Sequence, residues 1–179
     1  SYSNTFAYTD EPMYASADVY FITKPTGYYL KFILAILNSK LIFTWLFHRG
    51  KRKGAMLELY QEPLSQIPII KNVNIEVQNT IIILIDYIIY LKKLEKENYI
   101  IEFFERVIDI AVYELYFKEE LHSKGFGILE VLESELIPFD NSFETIERVY
   151  KKLSDKNHKV AYNVNFIDTL DIVKTIENK

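Results

Sequence analysis

Cysteine is absent from the 179 residues. That excludes a disulfide framework, a thiolate zinc site and a cysteine nucleophile, and it fits a reducing, cytoplasmic setting. Glycine and proline are sparse, five of each, which excludes collagen-like and low-complexity character. No leader with a charged start and an apolar core opens the chain, which begins at Ser1. It reads as a piece of a longer protein, not as a secreted precursor. A strong net charge is missing too. Lys plus Arg number 21 and Asp plus Glu 25, giving −4, so the basic footprint of a whole nucleic-acid-binding domain is not there.

What is present is ordinary globular material, 49% hydrophobic and 26% charged. The charge is unevenly spread. Residues 1–71 hold 8 basic and 5 acidic residues, and residues 72–179 hold 13 basic and 20 acidic ones. A polyanion, if one binds, meets the first half. The same point near 71 is the best division of the chain, into 1–71 and 72–179.

The first half predicts strands around one long helix. Asp18–Thr23 is rich in β-branched and aromatic residues and closes on Lys24-Pro25-Thr26-Gly27, which predicts a strand and turn. Residues 28–47 place Leu30, Ile33, Leu34, Leu37, Leu41 and Trp45 at helical spacing. The stretch is long enough for a bilayer, but Lys31, Lys40 and the Asn38-Ser39 pair are costly in hydrocarbon, so no membrane is expected. A second strand is expected over 55–60, a short helical turn at 61–66, and an edge segment at Ile67-Pro68-Ile69-Ile70.

The second half predicts helices. Asn74 is a candidate N-cap for a helix to about 96, apolar nearly all round through Ile82, Ile83 and Ile89. Residues 100–120 form an amphipath with Phe104, Val107, Ile108, Ala111, Val112 and Leu115 inward and Glu102, Glu105, Arg106 and Asp109 outward. The short connector predicts an antiparallel helical hairpin. Further helices are expected at 128–136, at 142–154 after a capping box at Asn141, and near 167–176. Val160, Tyr162, Val164 and Phe166 recur at period two and predict an extended segment. The expected fold class is therefore α+β: a small mixed β-sheet with a long helix, then a mainly helical region.

Chemistry-bearing motifs are few. His48, His122 and His158 lie far apart, with no second ligand at metal spacing. Gly125-Phe126-Gly127 follows a helix and reads as a turn, not a nucleotide loop. Asp171 with Glu177-Asn178-Lys179 matches the letters of a metal-dependent nuclease, but at a chain end where order is poor. Tyr14, Tyr20, Tyr28, Tyr29 and Tyr60 are concentrated in the first half, more as packing than as base-stacking groups.

The basic run His48-Arg49-Gly50-Lys51-Arg52-Lys53-Gly54 is the most pointed feature. Arg49 and Arg52 are candidate base readers, because a guanidinium can fork onto guanine O6 and N7. Lys51, Lys53, Lys40 and Lys24 are candidate phosphate contacts, and His48 can join them. The loop also admits a plainer reading, as solvated cations that balance a helix C-terminal dipole. A protein-interaction module that uses the apolar 81–91 stretch, with Ile83 and Ile89 as its sticky face, is the alternative function.

The order of Asp18-Val19-Tyr20-Phe21-Ile22, then Tyr29 through Leu41 with its ILNSKL end, then the basic loop, then Leu64-Ser65-Gln66-Ile67-Pro68-Ile69 resembles a known family. It is similar to the TaqI-like C-terminal target-recognition (specificity) domain of adenine-specific DNA methyltransferases and type II restriction–modification enzymes. The segment Ile108–Tyr116 resembles a helix that follows in such proteins. The resemblance implies double-stranded DNA as partner, a small sheet-and-helix module braced by helices, and a methyltransferase domain upstream in the same polypeptide. It implies no catalysis and no cofactor in this piece. S-adenosylmethionine, and magnesium where a nuclease is fused, belong to the parent, because the family's Asn-Pro-Pro-aromatic and glycine-bearing cofactor motifs do not occur here.

Overall fold

The structure, a computed structural model, describes residues 6–16, 19–23, 25–49, 51–53, 56–58, 61–95 and 97–177, with 51–53 and 56–58 as backbone only. The stretch expected to be one long helix is two: α1 (Leu30–Asn38) and α2 (Lys40–Arg49), bent by 65° at Ser39. Ser39 makes the corner. Its backbone is extended, its Oγ donates to the Ile36 carbonyl at 2.7 Å, and the same oxygen accepts the Ile42 N–H at 3.3 Å. One hydroxyl thus ends α1 and caps α2.

The chain then forms a minimal antiparallel ribbon, β1 (Lys51–Lys53) against β2 (Met56–Glu58), with Arg52 opposite Leu57. A short helix, α3 (Gln61–Ser65), follows. Residues 67–70 are not a strand. They are an irregular segment pinned by tyrosines: Tyr28 Oη donates to the Ile70 carbonyl at 2.7 Å, and Tyr116 Oη to the Pro68 carbonyl at 2.6 Å.

The rest is helical: α4 (Ile75–Leu94), α5 (Asn98–Tyr116), α6 (Lys118–Ser123), α7 (Leu129–Glu135), α8 (Phe143–Leu153), α9 (Lys159–Phe166), one 3₁₀ turn (Ile167–Thr169) and α10 (Asp171–Glu177). Asn74 caps α4 by accepting the Glu76 N–H at 2.9 Å. The cap on α8 is Ser142, one residue after the expected Asn141. Helices α4 and α5 form the expected antiparallel hairpin, with Tyr87 against Phe104 and Lys92 bonded to Glu105.

The expected α+β class is overturned. The architecture is all-α, and among the described residues the three-residue ribbon is too small to form a layer. Asp18 lies outside the described residues; residues 19–23 form no regular element and pair with no strand among the described residues, and Val19, Tyr20, Phe21 and Ile22 are exposed. A strand needs a ladder as well as a composition. The expected extended segment at 160–166 is α9. His158 Nδ1 accepts the Val160 N–H at 3.1 Å, and Val160, Ala161 and Asn163 are buried. Helix capping and burial at helical spacing outweigh the period-two lettering.

Buried side chains from both sides of residue 71 form one cluster, from Phe32, Ile36 and Leu46 to Leu84, Phe104 and Val173. Gln78 stitches the halves together: its Oε1 accepts the Tyr29 N–H, and its Nε2 donates to the Gly27 and Val73 carbonyls. Ile83 and Ile89, the proposed sticky face, are half-buried against this core. Among the described residues no single helix is long and apolar enough to cross a membrane; only the bent α1–α2 pair passes on length and composition, and much of α1 is core.

Candidate nucleic-acid interface

Helix α2 has a buried root and an exposed tip. Ile42 and Leu46 are fully buried, while His48 and Arg49 are exposed. The tip has an aromatic collar. The Arg49 guanidinium lies 5.8 Å from the Trp45 ring centroid, one helical turn back, and Phe47 meets His48 edge-on at 5.7 Å. Stacking on Trp45 restricts the Arg49 side chain without neutralising it. The chain runs from this tip into β1, whose three positions are Lys51, Arg52 and Lys53. The structure therefore brings His48, Arg49 and the β1 positions together at one end of α2. Glu58 stands opposite Lys51 in the ribbon register.

Lys40 and Lys24 are placed differently. Lys40 starts α2, about 13–14 Å from Arg49 along the helix axis. Its Nζ pairs with Glu177 at 3.4 Å and approaches Asp109 at 3.9 Å. Lys24, like Gly50 and Gly54, lies outside the described residues.

The root of α2 sits on a charged cluster that sequence reading missed. Asp109 and Arg106, expected to face solvent, are turned inward. Asp109 Oδ1 accepts the Lys40 N–H at 2.9 Å, a second cap on α2. Burial pushes its carboxyl up to about 6, against the Lys40 N–H bond and the nearby charges of Lys40 and Arg106. Arg106 bonds both Asp168 and Glu177. Burial disfavours its charge, but these carboxylates outweigh it and hold the guanidinium above its usual range. Tyr113 Oη donates to Glu177 at 2.9 Å, and burial pushes that phenol well up. Thr44 Oγ1 adds a bond to the Ile176 carbonyl at 2.5 Å. Arg106, Asp109 and Tyr113 are spaced three and four apart, which is the signal that could have marked a polar stripe on one face of α5.

The other motifs resolve as scaffold. Glu177 belongs to the cluster just described, while Asp171 is exposed and pairs with Lys174 at 3.0 Å; Asn178 and Lys179 are outside the described residues. His122 bonds the buried Glu114 at 2.7 Å, whose other oxygen accepts the Ile128 and Leu129 N–H groups at the start of α7. Gly127 backs onto that pair: a Cβ there would lie 2.7 Å from His122 Nε2 and 3.2 Å from Glu114 Oε1. Gly125, at φ +81°, and Gly127, packed on His122, serve the turn between α6 and α7. His158 Nε2 bonds Glu135 at 2.8 Å. Among the described residues no three His, Asp or Glu are grouped to hold a metal ion.

Comparison with known proteins bears on the first part of the chain. Residues 1–69 match the model of the TaqI-like C-terminal specificity domain. The Type II methyltransferase M.HincII of Haemophilus influenzae is 35% identical over 65 residues, which are 35% of this chain and 13% of that protein. The Type II methyltransferase M.HindII of Haemophilus influenzae strain Rd is likewise 35% identical over 65 residues, 12% of its length. The chain thus matches about an eighth of the length of these curated relatives. No solved structure matches the chain. The resemblance read from the sequence stands over residues 1–69.

Proposed function

We propose that this chain is a DNA target-recognition module of a restriction–modification methyltransferase, and that it engages duplex DNA through the tip of α2 and the β1–β2 ribbon. The observation that carries the reading is the continuity of Arg49, at an exposed helix end, with a ribbon whose first strand is Lys51-Arg52-Lys53, inside the region matched by the specificity family. A two-stranded ribbon is narrow enough for the major groove, and cations on it meet phosphates on either side.

In this reading Lys51 and Lys53 hold phosphates, and Arg49 and Arg52 read base edges. Lys40 acts at the root of α2, in its pairs with Glu177 and Asp109. Methyl transfer, with S-adenosylmethionine, belongs to a methyltransferase domain elsewhere in the parent polypeptide, in the cytoplasm, and magnesium belongs to a nuclease domain if one is fused.

Alanine substitution tests the roles by binding to a panel of duplexes. Lys51→Ala with Lys53→Ala weakens all sequences alike. Arg52→Ala costs about 1–3 kcal/mol on the preferred sequence and relaxes one position. Equal affinity of wild type and the double lysine variant for every duplex would overturn the assignment.

A further inference from the structure

One row of side chains on α2 runs from the core to solvent. Leu41, Trp45 and Arg49 stand four apart and share a face of the helix. Leu41 and Trp45 are half-buried against the core, whereas Arg49 is exposed. The turns beneath them are anchored by Ile42 and Leu46, both fully buried. Trp45 is the only tryptophan in the chain.

Helical side chains lean toward the N-terminus, so Arg49 falls back over the turn that carries Trp45. Its guanidinium carbon lies 5.8 Å from the indole centroid. That is within cation–π range, and tryptophan is the strongest aromatic partner for a cation. The other aromatic row of the helix is separately engaged: Phe43 meets Phe47 at 6.0 Å, and Phe47 meets the His48 ring.

A ring holds a guanidinium differently from a carboxylate. An ion pair occupies the N–H fork that reads guanine. An indole face attracts the charge, leaves the fork's donors unspent, and narrows the rotamers of a long side chain. A reader placed before binding loses less freedom on binding. Phosphate contacts gain little from such placement, because a lysine meets a phosphate as a point charge and phosphates carry no sequence information. We propose that Trp45 is a specificity-determining positioning residue: its indole, seated on the core, fixes the Arg49 guanidinium for a base edge of duplex DNA. The inference rests on the DNA-recognition reading of the α2 tip. It deepens that reading by tying selectivity at one base position to a residue that acts through another.

The test uses the 179-residue chain, a duplex selected by the wild type from a randomised pool, and single-base variants of that duplex. Arg49→Ala relaxes one position. Trp45→Leu keeps apolar bulk without a ring, and it relaxes the same position by about two- to fivefold, the equivalent of an exposed cation–π contact. It leaves affinity for unselected duplexes and the salt dependence unchanged, and Trp45→Phe restores most of the selectivity. In the Arg49→Ala background, Trp45→Leu adds nothing further. An equal loss on every duplex, a loss undiminished in the Arg49→Ala background, or full selectivity in Trp45→Leu would overturn the proposal. So would an Arg49→Ala chain as selective as the wild type, even where the lysines of the ribbon still bind DNA. A wild type that binds no duplex would remove the DNA-recognition reading itself, and the proposal with it. Fluorescence gives a second measurement with Trp45 in place: Arg49→Ala uncovers the indole and raises acrylamide quenching of its emission, whereas Lys51→Ala with Lys53→Ala does not. Equal quenching in the wild type and Arg49→Ala would also overturn the proposal.

Discussion

Burial and hydrogen bonding act in opposite directions on Asp109. The carboxylate caps α2 through the Lys40 N–H, yet burial raises its carboxyl to about 6. The groups that face it are Lys40 on α2, Arg106 and Tyr113 on α5, and Glu177 on α10. An acid whose folded value lies above its unfolded one, near 3.8, binds its proton more tightly when folded. Its contribution to stability is full below about pH 4 and is lost as pH rises through about 6. The loss is about 3 kcal/mol at most. Denaturant titrations at intervals from pH 4 to pH 7 will show the wild type losing more stability over this window than Asp109→Asn, which keeps an oxygen for the Lys40 N–H but carries no charge. Parallel pH profiles for the two proteins would refute this account of the site. None of this was legible from residue types. Asp109 and Arg106 sit among glutamates on an amphipathic stretch, and only their spacing with Tyr113 hinted at an inward polar stripe.

The corner at Ser39 shows the same limit for whole elements. Leu30, Ile33, Leu34, Leu37 and Leu41 keep helical spacing straight through the break, so periodicity alone predicts one helix. The information lay in the Asn38-Ser39 pair, whose side chains compete for backbone groups: Asn38 takes Phe6, and Ser39 caps α2. Replacing Ser39 by alanine should cost about 1 kcal/mol, read as a lower urea midpoint, with the second cap from Asp109 preventing a larger loss. An unchanged midpoint would show that Ser39 does not hold the corner. Helix α4 was legible because cap and apolar length agree, and the α4–α5 hairpin because the connector is short. The strand expected at 18–23, as far as its residues are described, and the extended 160–166 were misread from composition and alternation, which report neither strand pairing among the described residues nor a histidine cap.

At the scale of the molecule, the excess of acidic residues after position 71 and the basic excess before it fall on one continuous core. The second half therefore acts on the first by contact. Glu177 reaches Arg106, Tyr113 and Lys40, and Asp109 holds the start of α2, so the root of the basic tip is fixed by helices outside the family-matched region. The clustering of cations after α2 was plain in the sequence. The division of labour between Lys40 at the root and Arg49 at the tip was not, because it depends on the bend and on α10.

The central claim is that cations at the α2 tip and ribbon meet the backbone of duplex DNA. Its most direct test is the affinity of the 179-residue chain for duplex DNA by fluorescence anisotropy, from about 50 to about 300 mM salt. The phosphate contacts of Lys51 and Lys53 predict a log–log slope of roughly −2. An affinity that does not change with salt, or no measurable binding at the lowest salt, would contradict it.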